Sequence, residues 1–295
     1  MSATSSDLRI ESGEVTIAAR EHSPAGPGRP TVVLVHGYPD QQTTWDTLVA
    51  RLPLDDWHVV TYDVRGAGLS SAPSSQHGYR TTRLVDDLVA VLDAVLPDGE
   101  RVHLVGHDWG STQLWDAVLL ERDHPGLRGR IASYTSISGP SLDHVSTLVR
   151  HPAGRERELL HQLRHSWYIG AFCLPVAPDL AWRFGHERLG RAITAQERLP
   201  RAHFGPELSR NAVNGLGLYR ANVLRRPRAK AAHTDVPVLV VQPEHDAFIT
   251  DVFLEDLDRL CSDVRTARVD AGHWCIVTHA DEVAALVERH VGEHA

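Results

Sequence analysis

The chain has 295 residues, enough for one large α/β domain with an insertion or for two small domains, and its composition is that of an ordinary globular protein. A formal net charge of −8 without a long basic tract excludes a nucleic-acid partner, and no apolar run approaches the roughly 18 residues that a membrane span needs. The first residues lack the pattern of a signal peptide, and Cys173, Cys261 and Cys275 show no C-x-x-C spacing, so we expect a cytoplasmic protein without a disulfide framework.

The predicted elements begin with an edge hairpin at residues 8–19, where a weak alternation surrounds Gly13. Contiguous apolar runs then predict buried parallel strands, and apolar residues at helical spacing predict the helices between them. The strands are predicted at residues 31–36, 57–62, 102–105 and 131–138, and the helices at 43–52, 82–96 and 109–120. This alternation is typical of a doubly wound, mainly parallel sheet.

The character of the chain changes after residue 140, where strand-like runs cease and the helical segments up to residue 233 carry 15 basic against 7 acidic side chains. We interpret residues 141–233 as a helical cap inserted after the sixth strand, with residues 1–140 and 234–295 forming the core domain. The remaining strands are predicted at 236–241 and 264–269, and the remaining helices at 251–260 and 281–291. The predicted fold class is therefore α/β, with an eight-stranded, mainly parallel sheet and an inserted cap.

The segment Gly106-His-Asp-Trp-Gly110 lies where a predicted buried strand gives way to a helix. It fits the Gly-x-nucleophile-x-Gly pattern of a nucleophile elbow, in which glycines allow a sharp turn and the central side chain is exposed at the top of the sheet. That side chain is Asp108. A carboxylate is a poor nucleophile for acyl transfer, but it can displace a leaving group at an sp³ carbon and form an ester that water cleaves. Asp108 therefore predicts substitution at alkyl carbon.

Two further polar residues, Asp246 and His273, follow the last two predicted strands. The carboxyl ends of parallel strands meet at one edge of a sheet, so we expect both side chains near Asp108. A single aspartate after a strand is usually a turn or N-cap residue, but the order nucleophile, acid, histidine is the one that α/β hydrolases follow. We predict that Asp246 orients His273, with Asp143, after the sixth strand, as the substitute acid.

Several motifs together resemble the epoxide hydrolase branch of the α/β-hydrolase superfamily. They are His36-Gly-Tyr-Pro39, Asp63-Val-Arg-Gly-Ala-Gly-Leu-Ser70, Gly106-His-Asp-Trp-Gly110, Asp246 and Gly272-His273, with weaker matches in the cap at Ser166-Trp-Tyr168 and Leu218-Tyr219-Arg-Ala-Asn222. Residues 136–144 and 235–237 further resemble the hydrolase half of an actinobacterial epoxide hydrolase that is often fused to a short-chain dehydrogenase. We expect the dehydrogenase half to be absent here.

The resemblance implies an enzyme that converts a small-molecule epoxide to a vicinal diol and that needs no metal or other cofactor. Asp108 would attack a ring carbon while Tyr168 and Tyr219 donate hydrogen bonds to the ring oxygen, because an alkoxide is a poor leaving group without an acid. His273, oriented by Asp246, would then activate the water that hydrolyses the enzyme ester.

The resemblance also implies that the backbone N–H groups of Tyr38 and Trp109 form an oxyanion hole and that the Tyr38–Pro39 bond is cis. The residues predicted to line the substrate pocket are His36, Pro39, Trp167, Phe172 and Trp182, and Phe184 adds to the apolar character of the cap. The physiological epoxide, the regiochemistry and stereochemistry, and the oligomeric state, including a homodimer, are not readable from the sequence. Detoxification and secondary metabolism both stay open as roles.

A haloalkane-type dehalogenase is the main alternative, because it shares the Asp-Trp elbow and would use the Trp109 indole to bind halide. Such enzymes usually carry Asn or Gln where this chain has Tyr38, and a halide leaving group does not require two cap tyrosines. A non-catalytic receptor of the same fold is disfavoured by the complete triad. A metal enzyme could use His161-x-x-x-His165, whose i,i+4 spacing can chelate zinc, but no third ligand lies nearby in sequence.

Overall fold

The computed structural model describes residues 5–223 and 233–295 of the chain. Within them, eight strands form one sheet in the order β1-β2-β4-β3-β5-β6-β7-β8. The strands are β1 (Ser6–Ser12), β2 (Val15–Glu21), β3 (Thr31–Val35), β4 (His58–Tyr62), β5 (Val102–His107), β6 (Ile131–Ile137), β7 (Val238–Pro243) and β8 (Val264–Val269). The predicted α/β class and the eight-stranded sheet are confirmed.

The sheet is antiparallel at one edge and parallel elsewhere. The predicted hairpin forms β1 and β2, and β2 also pairs antiparallel with β4. From β4 through β3, β5, β6 and β7 to β8, every neighbouring pair is parallel. The carboxyl ends of these six strands therefore share one edge of the sheet, and the turn after β5 lies near its centre.

Helices cover both faces of the sheet. They are α1 (Asp46–Val49), α2 (Thr81–Val95), α3 (Trp109–Leu120), α4 (Leu142–Arg150), α5 (Glu156–His165), α6 (Trp167–Cys173), α7 (Ala177–Gln196), α8 (Leu208–Asn222), α9 (Cys275–Thr278) and α10 (Ala280–His294). Alternate residues of β3 show the two layers, because Val33 and Val35 join the core under α2 and α3 whereas Val32 and Leu34 join the core under α1 and α10. None of the described helices is both long and apolar enough to cross a bilayer.

Five helices, α4 to α8, lie between β6 and β7 in the chain. Helix α8 anchors them to the core through polar side chains. Asn222 accepts a hydrogen bond from the Thr81 N–H at 3.0 Å and donates one to the Tyr79 carbonyl at 2.9 Å. Asn211 accepts one from the Gly68 N–H at 3.0 Å. The division into a core and a cap at 141–233 stays a prediction, and residues 224–232 of that range lie outside the described residues.

The prediction of a helix at residues 251–260 is wrong. This stretch forms two short 3₁₀ turns, Asp251–Phe253 and Leu257–Arg259, and Asp256 between them has a left-handed φ of 55°. A residue in that conformation cannot continue a right-handed helix. The apolar residues of both turns are buried, so the periodic pattern in the sequence reflects the burial of an irregular segment.

Candidate active site

The nucleophile elbow predicted from the sequence joins β5 to α3. Asp108, between the two elements, has φ 53° and ψ −123°, a strained conformation for a residue with a side chain. Glycine is required on both sides of the turn, because a Cβ on Gly106 would collide with the backbone of Ser111 and a Cβ on Gly110 would collide with the Val35 carbonyl. The turn directs the Asp108 carboxylate into a cavity above the sheet.

His273, after β8, lies between Asp108 and Asp246. Its Nε2 is 3.6 Å from Asp108 Oδ2, and its Nδ1 donates a hydrogen bond to Asp246 Oδ2 at 2.9 Å. The other oxygen of Asp246 accepts from two backbone N–H groups of its own turn, at 2.8 and 3.0 Å. The structure thus brings together the three residues predicted as a triad, with Asp246 rather than Asp143 on the Nδ1 side of the imidazole.

The electrostatics of this group favour the charged forms. Burial opposes a charge on His273, but the carboxylates of Asp246 and Asp108 outweigh it and raise the His273 pKa well above its ordinary value. Burial acts to raise the pKa of Asp246, but His273 and the backbone donors lower it overall. Esterification of Asp108 would remove one of the two negative charges beside His273. The pKa of His273 would therefore fall at the stage at which a base is needed.

Backbone amides converge on Asp108 from two elements. The N–H of Tyr38 donates to Asp108 Oδ1 at 2.6 Å, and the N–H of Trp109 belongs to the first turn of α3, where the helix itself supplies no acceptor. Gly37 allows this approach, because a Cβ there would collide with the Asp108 side chain and with the Trp109 nitrogen. The Tyr38–Pro39 peptide bond is cis, as expected. These amides are the two donors predicted for an oxyanion hole.

The two cap tyrosines line the same cavity as Asp108. Tyr168 of α6 and Tyr219 of α8 have ring centroids 6.4 Å apart, and Tyr219 packs edge-on against Trp109 at 5.0 Å. Burial and then the Asp108 carboxylate raise the Tyr168 pKa, and burial, Tyr168 and Asp108 raise the Tyr219 pKa, both well above the ordinary value. Both phenols therefore keep their protons at neutral pH and can act as hydrogen-bond donors.

The cavity above Asp108 has a volume of about 560 Å³, which suits a small organic ligand. Four of the residues predicted to line it do so, namely Pro39, Trp167, Phe172 and Trp182. Trp167 is 72% exposed, whereas Trp182 is buried. The walls are mainly apolar, and Asp108 and His273 are among the polar residues that line the cavity.

His36 and Phe184 do not line this cavity, contrary to the prediction. The His36 ring is buried, with Nδ1 bonded to the Gly37 carbonyl and Nε2 accepting a hydrogen bond from the Val64 N–H, each at 2.9 Å. These two hydrogen bonds hold the loop that carries Tyr38, and the His36 ring does not face the cavity. Phe184 is 85% exposed on α7.

Two carboxylates near the site were not predicted from the sequence. Glu197, just after α7, accepts a hydrogen bond from the backbone N–H of His273 at 2.9 Å. Asp40 accepts one from the Trp274 indole at 2.7 Å and pairs with His203, from the chain between α7 and α8, at 2.9 Å. Asp40 directly follows the His-Gly-Tyr-Pro motif, which was a usable signal. Glu197 belongs to no motif, and only the folding of the chain brings it to His273.

The histidine pair on α5 is present as predicted, with the Nε2 atoms of His161 and His165 3.2 Å apart. Among the described residues, no third ligand atom from His, Cys, Asp or Glu joins them at a distance suitable for a metal ion. The pair therefore lacks the third protein ligand on which a zinc enzyme of this kind depends.

Comparison with known proteins agrees with this geometry. Residues 30–280 match the family model described as alpha/beta hydrolase fold. The chain is 32% identical over 302 residues to the probable oxidoreductase EphD of Mycobacterium tuberculosis, covering 97% of this chain and 50% of that protein. It is 40% identical over 116 residues to epoxide hydrolase A of the same organism, covering 39% of this chain and 34% of that protein. The matched segments thus cover at most half the length of these curated relatives.

Among solved structures, an epoxide hydrolase from Bacillus megaterium superposes with a TM-score of 0.79 at 18% sequence identity, covering 97% of this chain and 100% of that one. At this identity the likeness shows the fold alone. Together with the family model, it confirms the α/β-hydrolase fold that the sequence motifs indicated.

Proposed function

The chain belongs to the α/β-hydrolase family, and from its site we propose that it is an epoxide hydrolase, which converts an epoxide to a vicinal diol. The observation that carries the proposal is the grouping of Asp108 and His273 with two cap phenols, Tyr168 and Tyr219, around one cavity. The similarity to epoxide hydrolase A supports the same activity. A cytoplasmic location, a homodimeric state and a role in detoxification or secondary metabolism stay predictions.

In the first step, Asp108 attacks a ring carbon of the epoxide. Its Oδ1 is held by the Tyr38 N–H, so Oδ2 is the attacking oxygen. The carbon–oxygen bond of the ring breaks, and its electron pair goes to the ring oxygen. Tyr168 and Tyr219 donate hydrogen bonds to that oxygen, and one of them supplies the proton that turns the alkoxide into a hydroxyl group.

In the second step, water cleaves the ester on Asp108. His273 Nε2 removes a proton from the water, whose oxygen attacks the ester carbon, while Asp246 stabilises the imidazolium that forms. The negative charge that develops on Oδ1 is stabilised by the N–H groups of Tyr38 and Trp109. When this intermediate collapses, the bond to the substrate oxygen breaks and that oxygen takes the proton from the His273 imidazolium, which releases the diol. The proton of the resulting Asp108 carboxylic acid returns to the ionised cap phenol, so the carboxylate and the phenol are both restored.

The dehalogenase alternative would use the same nucleophile with the Trp109 indole as the halide donor. Trp109 is not among the residues that line the cavity, and its ring packs against Tyr219 instead. A halide also leaves as a weak base, so it would not need either cap phenol. These contacts favour an epoxide over a haloalkane.

A single turnover in ¹⁸O-water with excess enzyme tests the proposal, with styrene oxide as the probe. We expect ¹⁸O in the peptide that contains Asp108 and an unlabelled diol, because the new hydroxyl oxygen comes from the carboxylate. Label in the diol with none in the enzyme would instead show direct attack by water. His273→Gln is the matched control, since it should form the ester without incorporating label. Release of chloride from 1-chlorohexane at a comparable rate would favour the dehalogenase.

A further inference from the structure

The last helix, α10, carries a cluster of potential metal ligands outside the candidate active site. His290, Glu293 and His294 are spaced i, i+3 and i+4, which places all three on one face of the helix. One ligand atom from each lies within 4.8 Å of the other two. Among the described residues, no other group of three His, Cys, Asp or Glu side chains meets this distance.

Each of the two histidines of this cluster has a ring nitrogen without a hydrogen-bond partner. His290 is only 4% exposed, and its Nε2 has no hydrogen-bond partner. The Nε2 of His294 is also buried and unpartnered, and the two ring centroids are 4.9 Å apart. Backbone carbonyl groups of Pro237 and Tyr134 are hydrogen-bonding neighbours of the His290 ring. These carbonyl oxygens accept a hydrogen bond from Nδ1–H, so Nε2 keeps a free lone pair. A histidine that binds a metal through Nε2 has this arrangement.

We propose that His290, Glu293 and His294 form a binding site for one divalent ion of the zinc class, with both histidines ligating through Nε2. Two imidazoles and one carboxylate are a ligand set that zinc accepts, with water completing the tetrahedron. Glu293 also pairs with Arg265 of β8, so an ion at this site would share the carboxylate with that guanidinium.

The site lies at the opposite end of the strands from the candidate active site. Pro237, whose backbone carbonyl is a neighbour of the His290 ring, directly precedes β7, whereas Asp108 follows the end of β5. The ion would therefore stabilise the protein without entering the cavity, and the inference is independent of the proposed hydrolase activity.

Calorimetric titration of the chelator-treated 295-residue chain with zinc chloride tests the site. We expect one tightly bound ion per chain and a rise in Tm on binding. His294→Gln should weaken zinc binding at least about tenfold and remove the rise in Tm, because it removes one of three protein ligands. Glu293→Gln, at an exposed position, should also weaken binding, and it decides the matter if His294→Gln fails to fold.

The control is the other i,i+4 histidine pair of the chain, His161 and His165. The double variant His161→Gln/His165→Gln should bind zinc as tightly as the unaltered chain, because that pair has no third ligand among the described residues. The proposal is overturned if the unaltered chain binds no zinc below millimolar concentration. It is equally overturned if the tight ion survives His294→Gln and Glu293→Gln, or is lost in the control variant.

Discussion

At the scale of single residues, the site holds each reacting group through more than one contact. Asp108 has its conformation set by the glycine turn and its Oδ1 held by the Tyr38 N–H. His273 is held at Nδ1 by Asp246 and at its backbone N–H by Glu197. Such constraint would keep the groups near the geometry that the proposed reaction requires, so the entropy of ordering them is lost on folding.

The His273→Gln variant separates the two steps of the proposed reaction. Glutamine cannot act as a base, so the ester on Asp108 should form but be hydrolysed at least about 10²-fold more slowly. Intact-mass spectrometry after mixing with styrene oxide should show the protein heavier by one substrate molecule. Asp108→Ala is the control, and it should show no adduct. An unmodified mass in His273→Gln would contradict a covalent intermediate.

Glu197 is expected to act as a positioning residue for His273. Glu197→Ala removes the acceptor of the His273 N–H, which should slow ester hydrolysis about tenfold, the equivalent of one hydrogen bond of about 1.4 kcal/mol. The alkylation step should change little, because it does not use the imidazole as a base. Rapid-quench kinetics distinguishes the two steps. Glu197→Gln retains an acceptor oxygen and should restore most of the rate, whereas equal slowing of both steps would show only a general loss of structure.

At the scale of elements, helices α6 and α8 carry the two phenols proposed as the acid, and the ends of β5 and β8 position the proposed nucleophile and base. Helix α8, which carries Tyr219, is tied to core loops through Asn211 and Asn222. Tyr168 lies on the short helix α6, whose residues are all at least partly exposed. The two phenols meet only because α6 packs against α8, and their separation therefore depends on the docking of the cap.

Removing the two phenols should affect ring opening specifically. Tyr168→Phe and Tyr219→Phe should each slow formation of the ester on Asp108 by about 10²-fold, because each removes a donor to the ring oxygen. Single-turnover kinetics with styrene oxide measures this step. Phe172→Leu, a change in the same cavity without loss of a donor, is the control. An unaltered rate of alkylation in the double variant Tyr168→Phe/Tyr219→Phe would argue against an epoxide substrate.

At the scale of the whole molecule, several buried histidines make the fold sensitive to acid. Burial is the largest cause that lowers the pKa of His103, His107 and His144, each to about 4. An unfolded histidine titrates near 6.5, so between about pH 6.5 and 4 the unfolded chain binds more protons than the folded chain. Stability should therefore fall as the pH falls through this window. His273 has a raised pKa, and its contribution is lost instead as the pH rises through that value.

Urea unfolding followed at about pH 7 and about pH 4.5 measures this effect. The free energy of unfolding should decrease by several kcal/mol on acidification, since each unit of pKa shift is equivalent to about 1.4 kcal/mol. His144→Gln removes one of the groups and should reduce the difference by about 1 to 3 kcal/mol. A stability that is the same at both pH values would refute this account of the buried histidines.

Local sequence was sufficient for features whose physical cause is local. The strands β3 to β7 appear as largely apolar runs because they are buried on both faces, and the predicted positions of β3 to β8 agree with the structure to within a few residues. The elbow was readable because Gly106 meets a local steric requirement, since a Cβ there would collide with Ser111 of the same turn. The requirement at Gly110 comes from β3, because a Cβ there would collide with the Val35 carbonyl. The helix predicted at residues 251–260 was wrong, because buried apolar side chains can recur at helical spacing in an irregular segment.

The sequence by itself therefore determined the fold class, Asp108 as the group at the elbow and the order in which its partners follow. The tertiary structure alone decided that Glu197 reaches His273, that His36 lies beneath the site and that Tyr168 approaches Tyr219. The reason is physical: spacing along one strand or helix follows from its own repeat, but the distance between two elements depends on how their side chains pack.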